Sequence, residues 1–443
     1  MNALNHSTNL YLLHLNNKEN IFLYYMKRRE FIGNTFAIGG LTSVIPISQL
    51  YSNVQKKLTI QNKKTNYDVI VIGVGSMGSS ACYHIAKQGH SVLGLEQFDI
   101  THEMGSHTGQ SRIIRKAYFE HPNYVPLLER AYQNWRSLEQ EISNQIYFKT
   151  GLLYFGPSNH LLIKGTQKSA IKYGIKVNEL DRKEQLDKFP QFKVPENYTN
   201  LIEVDAGFVT PERAILSYTE QALKYKAIIH TKEKTMEWSK KDGIIQVKTN
   251  KQIYKCKKLV LTTGAWTSKF SDVKNLDVTR QILAWAKPEK PDMFELNTFP
   301  CWTFADPSVN GIYYGFPSLP SSSFEEPNGI KFAHHTKGKL TDPDIVNRNV
   351  SKEEEKTLVE AITKFIPKGI ETITATKTCL YTYSPDEDFI LDFYNNNEDV
   401  VIASGFSGHG FKFASVIGEI LSELAINRKS IHPINFLKSN RFN

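Results

Sequence analysis

The chain of 443 residues is long enough for two domains, and its formal net charge of +9 raises the question of nucleic-acid binding. Residues 1–66 carry eight lysines and arginines against two glutamates, which leaves a net charge of only about +3 on the rest of the chain. That remainder is typical of an ordinary solvated surface, so composition argues against a protein that binds nucleic acid.

The N-terminal 66 residues divide into three predicted segments. Residues 1–25 are rich in Asn and Leu without periodicity and receive no fold assignment. Residues 26–51 start with Met26-Lys27-Arg28-Arg29 and continue into a short, mildly apolar stretch, which resembles a twin-arginine export signal. Residues 52–66 are polar and predict a linker. We therefore expect twin-arginine export of a folded protein to the periplasm, with a basic tail on a cytoplasmic protein as the alternative.

The first predicted element after the linker is a strand that ends in a glycine turn. Residues 67–72 are largely apolar and β-branched, and they run into Gly73-x-Gly75-x-x-Gly78 ahead of a helix. In such a turn Gly73 permits the tight bend, Gly75 lets the backbone approach a pyrophosphate, and Gly78 lets helix and strand pack closely. The pattern predicts a dinucleotide-binding βαβ unit. A βαβ unit that binds no nucleotide is the alternative.

The helix start and the second strand refine this prediction. Ser76 and Met77 lie in the turn just ahead of the helix, whose unpaired N-terminal amides and dipole favour a phosphate. A second apolar strand stops at Glu96, eighteen residues beyond Gly78, close to where a ribose-binding carboxylate belongs. An acid at this position disfavours a 2′-phosphate, so the expected ligand is FAD or NAD rather than NADP.

Further elements follow in chain order. A loop rich in glycine and hydroxyl side chains leads into Arg112-x-x-Arg115, which we interpret as a helix start, and the apolar spacing of residues 125–141 predicts a helix. Thr210 followed by a proline predicts another helix start. Residues 243–257 predict a hairpin.

The remaining elements predict a return to the nucleotide sheet and a second sheet. A strand that starts at Leu259 ends in Thr-Thr-Gly264 and is expected to join the nucleotide unit. Residues 280–375 alternate aromatic strands with proline turns, which predicts an antiparallel sheet, and residues 400–404 predict a buried strand. The four cysteines lack metal-ligand spacing, so no metal site is expected, and all except Cys379 are interpreted as buried apolar residues.

Seven segments together resemble the family of monomeric sarcosine oxidases and N-methyl-L-tryptophan oxidases, which are FAD-dependent amine oxidases. These segments are residues 73–78, 105–118, 264–266, 311–317, 331–335, 379–392 and 405–414. The resemblance implies an α/β fold, with a Rossmann-like FAD-binding domain and a second domain built on an antiparallel sheet with helices. The predicted boundaries are residues 67–146, 205–275 and 376–435 for the FAD-binding domain and residues 147–204 and 276–375 for the substrate domain.

The resemblance also implies roles around the flavin. The flavin would be attached through a thioether to Cys379, Arg112 would lie over its face, and Lys331 would contact a ring nitrogen through water and promote reaction with oxygen. A positive charge there stabilises developing superoxide and peroxide. Taken without the family, Lys331 reads as an outward-facing strand lysine. The other residues implied in cofactor binding are Ser111, Gly264, Gly408, His409, Gly410 and Lys412.

Four residues are implied at the substrate. Arg115 and Lys412 would hold the substrate carboxylate, which suits two fixed cations, one of them able to bind in bidentate fashion. Tyr314 and His335 would lie near the substrate, although His335 alone fits a hydrogen-bonded core histidine equally well. One departure from the family is visible where the usual Gly-Asp-Thr-Arg reads Gly-Gln110-Ser-Arg. The acid becomes an amide, which bears on the flavin environment and not on the reaction class.

The resulting hypothesis is an enzyme that oxidises a secondary N-methyl amino acid to the amino acid, formaldehyde and hydrogen peroxide. The cofactor supplies the difficult step and the protein supplies orientation and charge. The expected partners are the small-molecule substrate, oxygen and the export machinery, and the expected state is a monomer. The alternatives are a flavin oxidase of a cyclic imino acid or a D-amino acid, an exported flavoprotein without turnover, and an NAD-dependent dehydrogenase.

Overall fold

The computed structural model describes residues 44–58, 64–273 and 275–442. The predicted segment 1–25 and most of the predicted signal therefore lie outside the described residues. The helices are Ile47–Leu58 (α1), Ser76–Lys87 (α2), Val125–Ile142 (α3), Leu161–Tyr173 (α4), Arg182–Lys188 (α5), Pro211–Lys224 (α6), Lys352–Phe365 (α7) and Ala414–Asn427 (α8). Over the described ranges, we find no helix with the length and apolar character that a membrane span requires.

The strands fall into three sheets. They are Asn66–Ile72 (β1), Val92–Leu95 (β2), Arg112–Ile114 (β3), Tyr147–Lys149 (β4), Leu152–Pro157 (β5), Val177–Leu180 (β6), Tyr198–Glu203 (β7), Gly207–Val209 (β8), Ile228–His230 (β9), Thr235–Lys241 (β10), Ile244–Thr249 (β11), Ile253–Leu261 (β12), Asp277–Lys287 (β13), Cys301–Phe304 (β14), Ile312–Phe316 (β15), Ile330–His335 (β16), Thr372–Tyr383 (β17), Ile390–Tyr394 (β18) and Asn397–Ser404 (β19).

The first sheet places the glycine turn at the carboxyl end of a central strand. Strand β1 pairs in parallel with β2 and β12, so that Ile72 lies beside both Leu95 and Leu261. Strands β9 and β19 extend the parallel part, and β10, β11 and β18 pair in antiparallel fashion at its margins. The carboxyl ends of parallel strands form the ligand-binding edge of such a sheet. The predicted nucleotide unit and hairpin are confirmed, and the second arm of the hairpin and the returning strand form one continuous strand, β12.

The second sheet has the order β17-β13-β16-β15-β14-β5-β7-β6, and its neighbours are antiparallel except for the parallel pair β5 and β14. This confirms the predicted antiparallel architecture. Strand β17 carries Cys379, which pairs with Gln281 of β13. We predicted that the FAD-binding domain resumes at residue 376. Strand β17, however, pairs with β13 of the second sheet along its whole length. The division into domains stays a prediction.

A small third sheet, β3-β8-β4, corrects one prediction. We interpreted Arg112-x-x-Arg115 as a helix start, but residues 112–114 form strand β3, in which Ile113 pairs with Phe208 of β8. The physical reason is that two consecutive β-branched residues favour extended backbone once a partner strand is available. Thr210 does precede helix α6, yet its hydroxyl donates to the Ile146 carbonyl at 3.3 Å instead of capping the helix.

The predicted linker is also partly wrong. The polar residues at 52–58 continue helix α1, whose Leu50 and Val54 are buried. These two positions are four residues apart and therefore share one helix face. Lys57 pairs with Glu220 of helix α6 at 2.8 Å. The helix is amphipathic. Most of its residues are polar and lie on the exposed face, so the overall composition of the segment resembles that of a linker.

The start of this N-terminal segment is anchored as well. Arg213 donates to the Ile45 carbonyl, and the Ser48 amide donates to the Glu325 carboxylate at 2.7 Å. Residues 44–51, which we predicted as the end of the signal, thus belong to the folded body.

Candidate active site

The glycine turn has the geometry that a phosphate-binding turn requires. Gly73 adopts φ +92°, and a Cβ there would lie 2.5 Å from the Thr262 carbonyl oxygen. A Cβ at Gly78 would lie 1.8 Å from the Gly73 carbonyl oxygen. This close approach excludes any residue larger than glycine at position 78. A Cβ at Gly75 would meet no atom within 4 Å, because this residue faces an open cleft. Ser76 and Met77 line the same cleft at the start of helix α2.

Glu96 lines the cleft at the end of β2 and also supports the turn. Its two carboxylate oxygens accept hydrogen bonds from the amides of Val74 and Phe98, both at 3.0 Å. Burial raises the pKa of Glu96 to about 7, and these amides act in the opposite direction. The residue expected to bind a ribose thus has a second task, which is to hold the loop that approaches the phosphates.

The cleft suits a dinucleotide in volume and chemistry. It has an empty volume of about 1170 Å³ and runs from the glycine turn to Gly264, Arg112 and the loop at residues 405–411. His107 is buried, and its Nε2 atom has no partner among the described residues, although the side chain lines the cleft. A buried polar atom without a partner is costly, so a bound ligand group would satisfy it. The residues present therefore fit FAD.

A smaller cavity adjoins the cleft. Its empty volume is about 580 Å³, and it shares Arg112, Tyr381, Gly408 and Phe411 with the cleft. The structure brings five of the predicted site residues together in its wall besides Arg112 and Gly408. These are Arg115, Tyr314, His335, His409 and Lys412. A reacting group that occupies the junction can therefore contact molecules in both cavities.

Arg115 is held by two rings and one carboxylate. Its guanidinium lies 4.3 Å from the ring centre of Tyr118 and 4.2 Å from that of Phe119. Its Nη2 atom donates to both carboxylate oxygens of Glu120 at 2.6 Å. Burial opposes the charge of Arg115, but Glu120 raises its pKa above the usual value. The cation is thus permanent and already has an anionic partner.

Sequence reasoning missed Glu120. Burial alone would raise the pKa of its carboxyl group, but Arg115 lowers that pKa to about 2. The side chain lines the smaller cavity, and its carboxyl group is ionised at neutral pH. The signal in the sequence was an acid five residues after Arg115, two residues beyond the segment 105–118 that resembles the family.

Lys412 supplies the second cation of this cavity. Its Nζ atom donates to the His409 carbonyl oxygen at 2.7 Å and lies 5.3 Å from the ring centre of Tyr118. Burial, followed by the neighbouring Arg115, lowers the pKa of Lys412 to about 7. The ammonium group therefore titrates near neutral pH, and a carboxylate in the cavity would favour its charged form.

The two histidines of the cavity are neutral. Burial lowers the pKa of His335 to about 4 and that of His409 to about 3. His409 Nε2 lies 3.1 Å from the Glu387 carbonyl oxygen, which can only accept, so Nε2 carries the proton. Its Nδ1 atom then accepts from the Tyr118 hydroxyl at 2.5 Å. Neither ring adds positive charge where an amine would bind.

Tyr314 and Tyr381 form a hydroxyl pair beside the junction. Their oxygens are 3.4 Å apart, and burial raises the pKa of both phenols, which are therefore neutral. A Cβ at Gly408 would lie 2.3 Å from the Tyr381 ring, so only glycine lets the loop approach this closely. A Cβ at Gly410 would lie 2.6 Å from Phe406. Tyr381 was not among the predicted site residues.

Lys331 is buried, which excludes the alternative of an outward-facing strand lysine. Its Nζ atom donates to the carbonyl oxygens of Gly109 at 2.5 Å and Ser111 at 2.7 Å. Burial, then Arg112, lowers the pKa of Lys331 well below its usual value. The side chain does not line either cavity, but the residues that hold it are adjacent to Arg112, which lines both.

Cys379 lies on β17, the strand of the second sheet whose residues 380–382 line the cleft. The thiol is buried, and the next two residues, Leu380 and Tyr381, line the cleft. Burial raises the pKa of Cys379, whereas Arg112 and Lys331 act to lower it. The other three cysteines are buried and free, as predicted.

The fold and the cleft are those of a dinucleotide-binding protein, and a second cavity lined by Arg115 and Lys412 adjoins the cleft. The model of the DAO family, FAD dependent oxidoreductase, matches residues 68–424, and the chain belongs to this family. The chain is thus an FAD-dependent oxidoreductase, and the alternative of an NAD-dependent dehydrogenase is wrong.

Curated relatives agree with the resemblance predicted from the sequence. The chain is 37% identical to monomeric sarcosine oxidase from Bacillus sp. (strain B-0618) over 386 residues, or 85% of this chain and 96% of the relative. It is 31% identical to N-methyl-L-tryptophan oxidase from Yersinia pestis (strain Pestoides F) over 379 residues, or 85% of this chain and 100% of the relative. The predicted resemblance is therefore confirmed.

Solved structures show the same fold at lower identity. NikD, an unusual amino acid oxidase essential for nikkomycin biosynthesis, matches with a TM-score of 0.74 and 21% identity, covering 85% of this chain and 98% of that one. L-proline dehydrogenase from P. horikoshii matches with a TM-score of 0.74 and 21% identity, covering 86% and 98%. These similarities confirm the predicted fold class.

Proposed function

We propose that the protein oxidises a secondary N-methyl amino acid of the sarcosine or N-methyl-L-tryptophan type to the amino acid, formaldehyde and hydrogen peroxide. The observation that carries this proposal is the pair of buried cations, Arg115 and Lys412, in a small cavity that meets the cofactor cleft. Two curated relatives named for these two substrates support the substrate class.

The carboxylate of the substrate would bind between the two cations. Arg115 is fixed by its ring contacts and by Glu120, so it provides direction at little conformational cost. Lys412 provides the adjustable charge, because its pKa of about 7 allows it to take up a proton when an anion arrives. Together they orient the substrate with its amine away from the carboxylate end.

The amine end would then lie near Tyr314, Tyr381 and the two neutral histidines. When bound, FAD supplies the electron acceptor for oxidation of the carbon–nitrogen bond. Aromatic side chains line this end of the cavity, and the neutral imidazoles do not repel the amine. Arg112 is held by the carbonyl oxygens of Ser106, Thr108 and Ser111 at 2.7–2.9 Å, which fixes one positive charge at the junction of the cavities. A fixed charge stabilises negative charge that develops there.

The direct test compares sarcosine and N-methyl-L-tryptophan as reductants of the purified holoenzyme. Under anaerobic conditions, the better substrate is expected to bleach the flavin absorbance, and air should then release one peroxide per turnover. Replacement of Arg115 by Met should raise KM far more than it lowers kcat. If neither N-methyl amino acid bleaches the flavin, the proposed function is wrong, and bleaching by L-proline or a D-amino acid alone would favour the alternative oxidases.

We also propose that the flavin is attached through Cys379. Its buried position one residue from the cleft-lining Leu380, near Arg112 and Lys331, which act to lower the pKa of the thiol, supports this assignment. Denatured wild-type protein should keep its flavin on the polypeptide. Cys379→Ser should release it, while Cys301→Ser, an equally buried change on β14, should not. Complete release from the wild type would contradict the attachment.

For location and assembly, we propose a monomer that is exported through the twin-arginine route. The basic sequence at Arg28 and Arg29 supports export, and a relative is named monomeric sarcosine oxidase. Replacement of both arginines by lysine should retain the protein in the cytoplasm in a fractionation experiment. Equal periplasmic amounts of the two forms would contradict export by this route, and light scattering tests the monomer.

A further inference from the structure

At Gln110 the chain has an amide where the family's usual Gly-Asp-Thr-Arg pattern has an acid. Both polar atoms of the Gln110 side chain form hydrogen bonds. Its Nε2 atom donates to the carbonyl oxygens of Glu325 and of Pro327, the latter at 3.0 Å. Its Oε1 atom accepts from Trp285 Nε1 at 2.9 Å. A carboxylate could replace only the last of these bonds, because it has no proton to donate when ionised. The amide is therefore required by the two carbonyl groups that face it.

The backbone around Gln110 has an unusual conformation. Gly109 and Gln110 have φ values of +110° and +63°, so two successive residues are in left-handed or related regions. A non-glycine residue in this region persists only when its surroundings impose it. The amides of both residues donate to Glu212 Oε1, at 2.7 and 3.3 Å. The side-chain bonds of Gln110 and the Glu212 carboxylate together impose this turn.

The turn determines where the Lys331 ammonium group lies. The two backbone carbonyls that accept from Nζ belong to Gly109 and Ser111, the neighbours of Gln110 on either side. Among the described residues, the remaining hydrogen-bond partner of Nζ is the Ser111 hydroxyl at 3.4 Å. The ammonium group thus depends on backbone dipoles whose direction follows from the turn at Gln110.

We propose that Gln110 is a positioning residue for the reaction with oxygen: its side-chain amide fixes the turn whose carbonyl oxygens hold the Lys331 ammonium group beside Arg112. This inference rests on the proposed function, which requires reoxidation by oxygen, and on the role that the family resemblance implies for Lys331 in that step. The inference goes beyond the proposed function, because it assigns a role to the side-chain amide that this chain has in place of the family's usual aspartate. Amine oxidation depends chiefly on the cavity around Arg115, so reduction by the amine should change less than reoxidation.

The test separates the two half-reactions in the holoenzyme. Gln110→Glu keeps the shape of the side chain and removes both donors, and Gln110→Met removes all three polar bonds without adding charge. The matched control is Gln191→Glu, since Gln191 is equally buried and its amide also donates to a carbonyl oxygen, that of Met293 at 2.7 Å. Stopped-flow absorbance measures anaerobic reduction by the amine and reoxidation by oxygen. Reduction by dithionite makes the second step measurable whatever the true substrate is.

Both Gln110 variants are expected to slow reoxidation by a factor between about 10 and about 100. The upper bound is the effect of deleting a group that stabilises the developing charge directly. Anaerobic reduction should stay within about twofold of the wild type, and Gln191→Glu should leave both steps unchanged. Hydrogen exchange of residues 105–115 should be faster in Gln110→Met, which reports on the turn independently of turnover.

Wild-type reoxidation in both Gln110 variants would overturn the inference, as would equal slowing of both half-reactions. Lys331→Met is measured in parallel. If its reoxidation is unchanged while Gln110→Glu is slow, Gln110 does not act through Lys331 and the inference is wrong. If no amine reduces the enzyme while the dithionite experiment gives the expected pattern, the proposed substrate fails and the inference stands.

Discussion

The titration of Lys412 predicts how carboxylate binding depends on pH. Acetate is a suitable probe, because it stays ionised between pH 7 and 9 and lacks an amine that would titrate. With a pKa of about 7, the fraction of protonated Lys412 falls from about one half at pH 7 to about one hundredth at pH 9. If acetate binds only when Lys412 is protonated, its apparent Kd should rise about fiftyfold over this interval.

The sign follows from the direction of the shift. Burial and Arg115 favour the neutral amine, so the charged form that attracts acetate is gained as pH falls and lost as pH rises. Glu120 acts in the opposite direction on the same group but remains ionised throughout, because its own pKa is about 2. His335 and His409 are neutral over the whole interval, since their pKa values are about 4 and about 3, and they contribute no slope.

The assay is a titration of the flavin absorbance with acetate at several pH values. Lys412→Arg should give a nearly flat profile, because a guanidinium stays protonated up to pH 9. Lys412→Met should bind weakly and without a slope. A flat wild-type profile between pH 7 and 9, with Lys412→Met still weaker, would refute the argument that Lys412 titrates near neutrality.

Three further predictions concern other parts of the molecule. Glu120→Gln should tighten acetate binding several-fold at pH 6, because the carboxylate that competes with acetate for Arg115 is replaced by an uncharged amide; weaker binding would contradict this. Leu50→Ala should lower the free energy of unfolding by roughly 2–4 kcal/mol in a denaturant titration, and exposed Ile171→Ala should change it by less than about 0.5 kcal/mol. Gly75→Ala should preserve folding but lose FAD, measured as the ratio of flavin to protein absorbance, whereas Gly78→Ala should fail to fold because its Cβ would lie 1.8 Å from a carbonyl oxygen.

Sequence reasoning succeeds where a local pattern determines the geometry. The glycine turn at residues 73–78 needs only the strand before it and the helix after it, and both are formed by adjacent residues. The end of β12, residues 259–261, was predictable for a similar reason, since a short apolar run suits a strand segment that is buried on both faces.

Sequence reasoning fails where the structure of a segment depends on residues that are distant in the sequence. Arg112 belongs to a strand because β8, almost a hundred residues later, offers it a partner. Cys379 lies in the second sheet because β17 pairs with β13, about a hundred residues earlier. Glu120 joins the site because its loop folds back on Arg115, and no spacing rule places an acid there. The family resemblance located the cations of the smaller cavity but not the groups that balance their charge.

Helix α1 has a practical consequence for anyone who prepares this protein. The family match begins at residue 68, so a chain trimmed to that match would lack the whole helix. The surface of α6 that now covers Leu50 and Val54 would then face water as an uncovered apolar strip. Such strips drive self-association, so the shortened protein should elute as a mixture of aggregates even though its catalytic cavities are intact. A useful expression boundary therefore lies before residue 44.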